Sequence, residues 1–114
     1  MIRVYVAGPY TKSDPAVNTR NAVDLGSVLL DTGYTPFIPH LTHLWHLIHP
    51  RPYGEWLDYA MQWLSQCDVV FRMNGESNGA DKEVQFALAS GIPVVYSIAE
   101  LCQKFPIIDD EGND

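Results

Sequence analysis

Asp68-Val69-Val70-Phe71-Arg72-Met73-Asn74-Gly75-Glu76-Ser77-Asn78-Gly79-Ala80-Asp81-Lys82-Glu83 is the stretch on which the fold turns. Its first five residues, a β-branched and aromatic run flanked by an acid and a base, have the pattern of a buried strand. Met73 to Asn78 is too rich in turn-forming residues to continue that strand and reads as a loop. From Gly79 the pattern is helical to Ser90, with Gly91 as the stop. A strand that passes into a helix through a short polar loop is half of a β-α-β unit.

The rest of the chain repeats this alternation. Residues 2 to 7 read as a strand, broken by Gly8-Pro9-Tyr10-Thr11. Asp14-Pro15 is a helix start, with an acceptor at the cap and proline at the first helical position. That helix is expected to reach about Thr32, with Val17, Asn21, Leu25, Val28 and Leu29 facing inward and Gly33 ending it. Residues 34 to 38 form a short strand, and Pro36 within it suggests an edge. Residues 39 to 52 contain all four histidines and three prolines, the composition of a loop with at most a short helix. Helical spacing resumes at Trp56, Tyr59, Ala60, Trp63 and Leu64. Ile92 to Tyr96 reads as the last strand, and a short helix over 98 to 104 closes the body.

This order predicts one Rossmann-like (flavodoxin-like) α/β domain over residues 1–105. Its centre would be a parallel sheet of four or five strands flanked by helices, followed by an acidic tail over 106–114. With 114 residues, 46% of them hydrophobic, the chain suffices for one core. The net charge of −7 owes much to Asp109, Asp110, Glu111 and Asp114 in the tail. Seven scattered Lys and Arg make no basic run, so a nucleic-acid polymer is not an expected partner. No apolar stretch is long enough to cross the roughly 30 Å hydrocarbon layer, so no membrane is expected either. The N-terminal stretch lacks a secretory pattern, and Cys67 and Cys102 are too few for a disulfide framework. A cytoplasmic protein is the expectation.

In open parallel sheets ligands sit beyond the carboxyl ends of the strands, which selects the loops Gly8 to Thr11 and Met73 to Gly79. Amides at the start of the second helix, with the Ser77 hydroxyl, could hold one anion without a large positive field. Gly79 would admit a ligand close to the backbone, and Ala80 is small enough to leave Glu83 accessible. The plainer alternative is that Ser77 caps the helix and Glu83 is a solvated acid of its first turn.

Tyr5-Val6-Ala7-Gly8-Pro9, Trp63-Leu64 before Cys67-Asp68, and Gly75-Glu76-Ser77-Asn78-Gly79-Ala80-Asp81 followed by Glu83 occur in that order. Together they resemble the nucleoside 2-deoxyribosyltransferase family, and within it most nearly the 2'-deoxynucleoside 5'-phosphate N-hydrolase-like branch and its small relatives. The resemblance covers roughly residues 3 to 97. It implies a carboxylate nucleophile, here Glu83, that attacks the anomeric carbon and forms a glycosyl-enzyme ester. It also implies that Tyr5 orients the nucleophile and that Gly8, Pro9 and Tyr10 line the nucleoside site. Ser77 stands where transferases of free nucleosides carry an aspartate. That difference favours a 5'-phosphorylated ligand, since a carboxylate would repel the phosphate. Arg3, Arg20 and Arg72 are possible phosphate clamps. Relatives self-associate, so a homo-oligomer, dimer or higher, is implied, and the partner is a small nucleotide or nucleoside.

One position departs from the pattern. Ala60 stands where relatives carry a second acid, three residues before Trp63. Asp58 is the nearest acid, about 200° away around a helix. His43, in a Pro39-His40-Leu41-Thr42-His43 stretch that resembles the relatives' loop, is the other candidate to protonate a departing base. His40 from the same stretch is a candidate substrate contact. Trp45, Tyr53 and Trp56 are candidates to stack on a base. His40, His43, His46 and His49 recur every third residue, without the partners or the i, i+4 pairing of helical zinc sites. No metal and no cofactor is expected. Cleavage or transfer at an N-glycosidic bond is therefore the leading function, ahead of a non-catalytic nucleotide-binding module and of a His-dependent metal hydrolase.

Overall fold

The computed structural model describes residues 1–108, and the four tail acids lie outside the described residues. Four strands, β1 (Arg3–Ala7), β2 (Thr35–Phe37), β3 (Val69–Arg72) and β4 (Val94–Val95), form one parallel sheet in the order β2-β1-β3-β4. Tyr5 is registered against Phe37 on one side and Val70 on the other. The helices are α1 (Pro15–Thr32), α2 (Thr42–Ile48), α3 (Tyr53–Leu64), α4 (Asn78–Ala89) and α5 (Ile98–Lys104), with a 3-10 turn at Pro39–Leu41 before α2. The expected parallel α/β sheet is thus present, with four strands. The segment 39–52 holds one short helix, and the last strand is shorter than its apolar run suggested.

Strand alternation divides the core between two faces. Val4, Val6, Val69 and Phe71 pack with Ala22 and Leu29 of α1 and Leu101 of α5. Tyr5, Ala7 and Val70 pack on the opposite face with Ala60 and Leu64 of α3 and Ala80 and Ala87 of α4. Each fully buried Leu or Val contributes roughly 1.5–3 kcal/mol of transfer free energy.

The α1 stripe differs from its expected form. Ala22, Gly26 and Leu29 are buried, whereas Val17 and Val28 are about half exposed and Asn21 is exposed. The reason is close approach: a Cβ on Gly26 would collide with Ile38, so small residues let α1 settle against the sheet. Large apolar residues alone do not reveal such a face.

The chain leaves β1 toward β2 on one side and reaches β3 on the other. A crevice therefore opens at the carboxyl ends of β1 and β3. Gly75, at φ 114°, brings the loop after β3 against Pro9 of the loop after β1.

Candidate active site

α4 begins where extended Ser77 turns its hydroxyl back to accept from the Ala80 N–H at 3.0 Å. From that start Ala80, Glu83 and Ala87 fall on the buried stripe. A carboxylate thus occupies the position of an apolar side chain, between two alanines too small to cover it. Tyr5 leaves β1 on the same face, and its buried phenol donates to Glu83 Oε2. Phe37 stacks on Tyr5 at 5.7 Å, and Trp63 stacks on Phe37 at 5.7 Å, so the phenol is backed by an aromatic column.

Burial dominates the electrostatics of this pair. It pushes the Glu83 carboxyl up to about 7, although the Tyr5 hydrogen bond and the Arg72 charge pull the other way. The Tyr5 phenol is pushed far above its ordinary value by burial and by the Glu83 charge, so it remains a proton donor. Arg72 is itself buried. It donates to the carbonyls of Met73 and Gly75 and to Asp81 Oδ1, and so clasps the β3–α4 loop to the first turn of α4.

In front of Glu83 lies a cavity of about 580 Å³, within the usual range for a small-molecule site. The loop after β1 forms one wall, held by Asn18 Nδ2, which donates to the carbonyls of Tyr10 and Lys12 at 2.9 and 2.7 Å. His40 Nε2 donates to the carbonyls of Gly8 and Pro9 at 3.2 and 3.0 Å. Burial lowers the His40 pKa, keeping the ring neutral, and its buried Nδ1 has no partner among the described residues. Tyr53, Trp56, Leu57 and Ala60 of α3 form the facing wall.

The structure brings most of the sequence-selected residues to this cavity. Gly8, Tyr10, His40, Ser77, Gly79, Ala80 and Glu83 line it, and Tyr5 reaches it through Glu83. Pro9 stands behind the wall, packed against Gly75. Asp58 is exposed and outside the cavity, because α3 already begins at Tyr53 and its inward positions are Trp56, Leu57 and Ala60. His43 is also outside it, hydrogen-bonded through Nδ1 to the Tyr10 hydroxyl at 2.7 Å. The other histidines diverge. His46 Nδ1 accepts from Trp56 Nε1 at 2.8 Å and from the Arg51 N–H at 3.2 Å, and His49 is exposed. No group of three His, Cys, Asp or Glu able to hold a metal ion occurs among the described residues.

The three arginines considered as phosphate clamps are engaged elsewhere. Arg3 reaches the Gln66 carbonyl, Arg20 pairs with Asp24 on the surface, and Arg72 forms the loop clasp. The cations at the cavity are Lys12 and Lys82, which the sequence reading did not single out. Lys12 pairs with Glu76 at 2.8 Å, linking the two loops. The available signal was position, since each lysine lies within a few residues of a loop at a strand end.

A family model described as a domain of unknown function, DUF7768, matches residues 2–97, and the chain belongs to that family. No curated protein matches the sequence. Among solved structures the fold is similar to that of a 2-desoxiribosyltransferase from Leishmania mexicana, with TM-score 0.64 and 15% identity. That match covers 84% of this chain and 63% of the other, so the chain spans less than two thirds of that protein's length. A 2-deoxyribosyltransferase from the psychrotolerant bacterium Bacillus psychrosaccharolyticus matches with TM-score 0.58 and 22% identity, covering 81% of this chain and 69% of its own. No helix among the described residues is long and apolar enough to cross a membrane.

Proposed function

We propose that this member of the DUF7768 family cleaves, or transfers at, the N-glycosidic bond of a (deoxy)nucleoside 5'-monophosphate, with Glu83 as nucleophile. The observation that carries the reading is a carboxylate buried at a cavity wall and hydrogen-bonded by a buried phenol, in a fold shared with 2-deoxyribosyltransferases. A Glu83 oxygen attacks the anomeric carbon, and the bond from that carbon to the base nitrogen breaks with its electron pair on the base. The base takes a proton, and water or a second base then resolves the ester. Asp58 and His43 lie outside the cavity, so the leaving base takes its proton from water in the open site. His43 acts instead as a positioning residue, holding the Tyr10 hydroxyl.

The 5'-phosphate is assigned to the start of α4. The Asn78 and Gly79 amides and Ser77 lie there beside Lys12 and Lys82. Binding it exchanges the Lys12–Glu76 pair for a Lys12–phosphate pair. Exposed Leu44, Leu47 and Ile48 on α2 support a homo-oligomer. The unpaired Cys67 and Cys102 suit a reducing cytoplasm.

The test is a panel of deoxynucleoside 5'-monophosphates assayed for free base. Release that is lost in Glu83→Ala supports the reading, and no release from any member sinks it. Ala60 in the cavity wall favours a second reading, a nucleotide-binding module without turnover, which requires calorimetric binding of the same panel with no base released.

A further inference from the structure

We propose that Tyr53 is a ligand-binding residue whose hydroxyl donates to a sugar oxygen of the bound nucleotide, and that Gly79 is a glycine in order to admit that hydroxyl. The proposal rests on the nucleotide reading above for its ligand, and on geometry alone for its second half. Tyr53 opens α3, two turns before Ala60, so both project into the cavity from one face of the helix. A Cβ built on Gly79 would collide with the Tyr53 hydroxyl oxygen but would stand 3.7 Å from Cζ, an ordinary contact. The clash is therefore with the hydroxyl and not with the ring.

Gly79 lies in the first turn of α4 without the positive φ that would demand glycine. Alanine is the better helix former there, and its Cβ would have to displace the phenol oxygen from where it sits. The chain thus gives up a favourable helix residue to seat a polar atom against the backbone. Tyr53 is half exposed and makes no hydrogen bond among the described residues, so its donor is free for a ligand. Burial and the nearby Glu83 charge both raise its pKa, which keeps the proton on the phenol at neutral pH. The hydroxyl lies against Gly79, at the α4 start assigned to the phosphate, and near enough to Glu83, assigned to the anomeric carbon, for its charge to act on the phenol. The part of a nucleotide that spans those two points is the sugar. Ala60 offers no hydrogen bond from this wall, and Tyr53 supplies the polar contact that α3 otherwise lacks.

Tyr53→Phe keeps the ring and removes only the oxygen. Calorimetry with deoxyadenosine and with its 5'-monophosphate is expected to show about a three- to tenfold loss of affinity for both ligands, the value of one neutral hydrogen bond. Tm should stay within about 2 °C of wild type, and KM should rise by the same factor with kcat unchanged. Unchanged affinity for both ligands overturns the assignment. A loss confined to the monophosphate also overturns it, by moving the contact to the phosphate. Thermal melts test the steric half without any ligand: Gly79→Ala lowers Tm in the wild-type background and is harmless or stabilising in Tyr53→Phe. An equal cost in both backgrounds contradicts it. Wild-type protein that binds no member of the deoxynucleoside 5'-monophosphate panel removes the ligand assignment together with the nucleotide reading, and the melts still decide whether the phenol oxygen disfavours a side chain at residue 79.

Discussion

At the scale of the residue, the proposed chemistry rests on Glu83, and its environment predicts how stability and activity depend on pH. Burial raises the carboxyl from its ordinary 4.5 to about 7, so the native state holds a proton that the unfolded chain releases across that window. Stability therefore falls as pH rises from about 4.5 to about 7, by about 3 kcal/mol, and is flat above it. Glu83→Gln removes the penalty. Denaturant titrations should find this variant up to about 3 kcal/mol more stable than wild type at pH 8 and little different at pH 4.5. A nucleophile must be ionised, so base release should rise with pH through about 7. Tyr5→Phe deletes a hydrogen bond that favours the carboxylate, and the acidic limb of the profile should move to higher pH. An unmoved limb would show that the phenol does not act on Glu83 charge. Glu83 was singled out in the sequence by its distance from Ser77 and Gly79 together with the family resemblance. Its burial was not legible there, because an acid in the first turns of a helix is usually solvated and only the alanines on either side hint otherwise. Neither Asp58 nor His43 lines the cavity: α3 begins at Tyr53 and turns Asp58 to solvent, while His43 on α2 is hydrogen-bonded to the Tyr10 hydroxyl.

At the scale of the element, the β3–α4 unit positions the site, and Arg72 is the side chain that holds its loop. The guanidinium satisfies two loop carbonyls and pairs with Asp81, so Arg72→Met leaves those carbonyls short of donors. The expected cost is about 2–4 kcal/mol by chemical denaturation, with a further rise in the Glu83 pKa from the lost positive charge. A variant as stable as wild type would mean that the loop is held by its packing alone. Element starts were readable wherever a side chain caps a helix: Asp14 Oδ1 accepts from Ala16 N–H at 2.9 Å, as Asp14-Pro15 suggested, and Ser77 caps α4. The inward face of α1 was not, because Ala22 and Gly26 bury by being small. Arg72 stands at the end of a strand, where sequence alone cannot distinguish a phosphate clamp from a loop clasp.

At the scale of the whole molecule, the parallel sheet was legible because strand and helix periods alternate cleanly, and the order β2-β1-β3-β4 puts the crevice where such sheets place ligands. The outward faces were less legible. Val17, Val28, Leu44, Leu47 and Ile48 are all exposed, and nothing in their spacing distinguishes a core stripe from a surface that pairs with another copy. Light scattering on the purified chain should give a mass at least twice 12.8 kDa, and a monomer at every concentration would contradict the proposed self-association. Covalent participation of Glu83 is tested by quenching turnover of a deoxynucleoside 5'-monophosphate in acid and mapping the modified peptide by mass spectrometry. A deoxyribose 5-phosphate ester on Glu83, absent from Glu83→Ala, is the expected product. Base release with the sugar attached elsewhere, or undiminished in that variant, would contradict it.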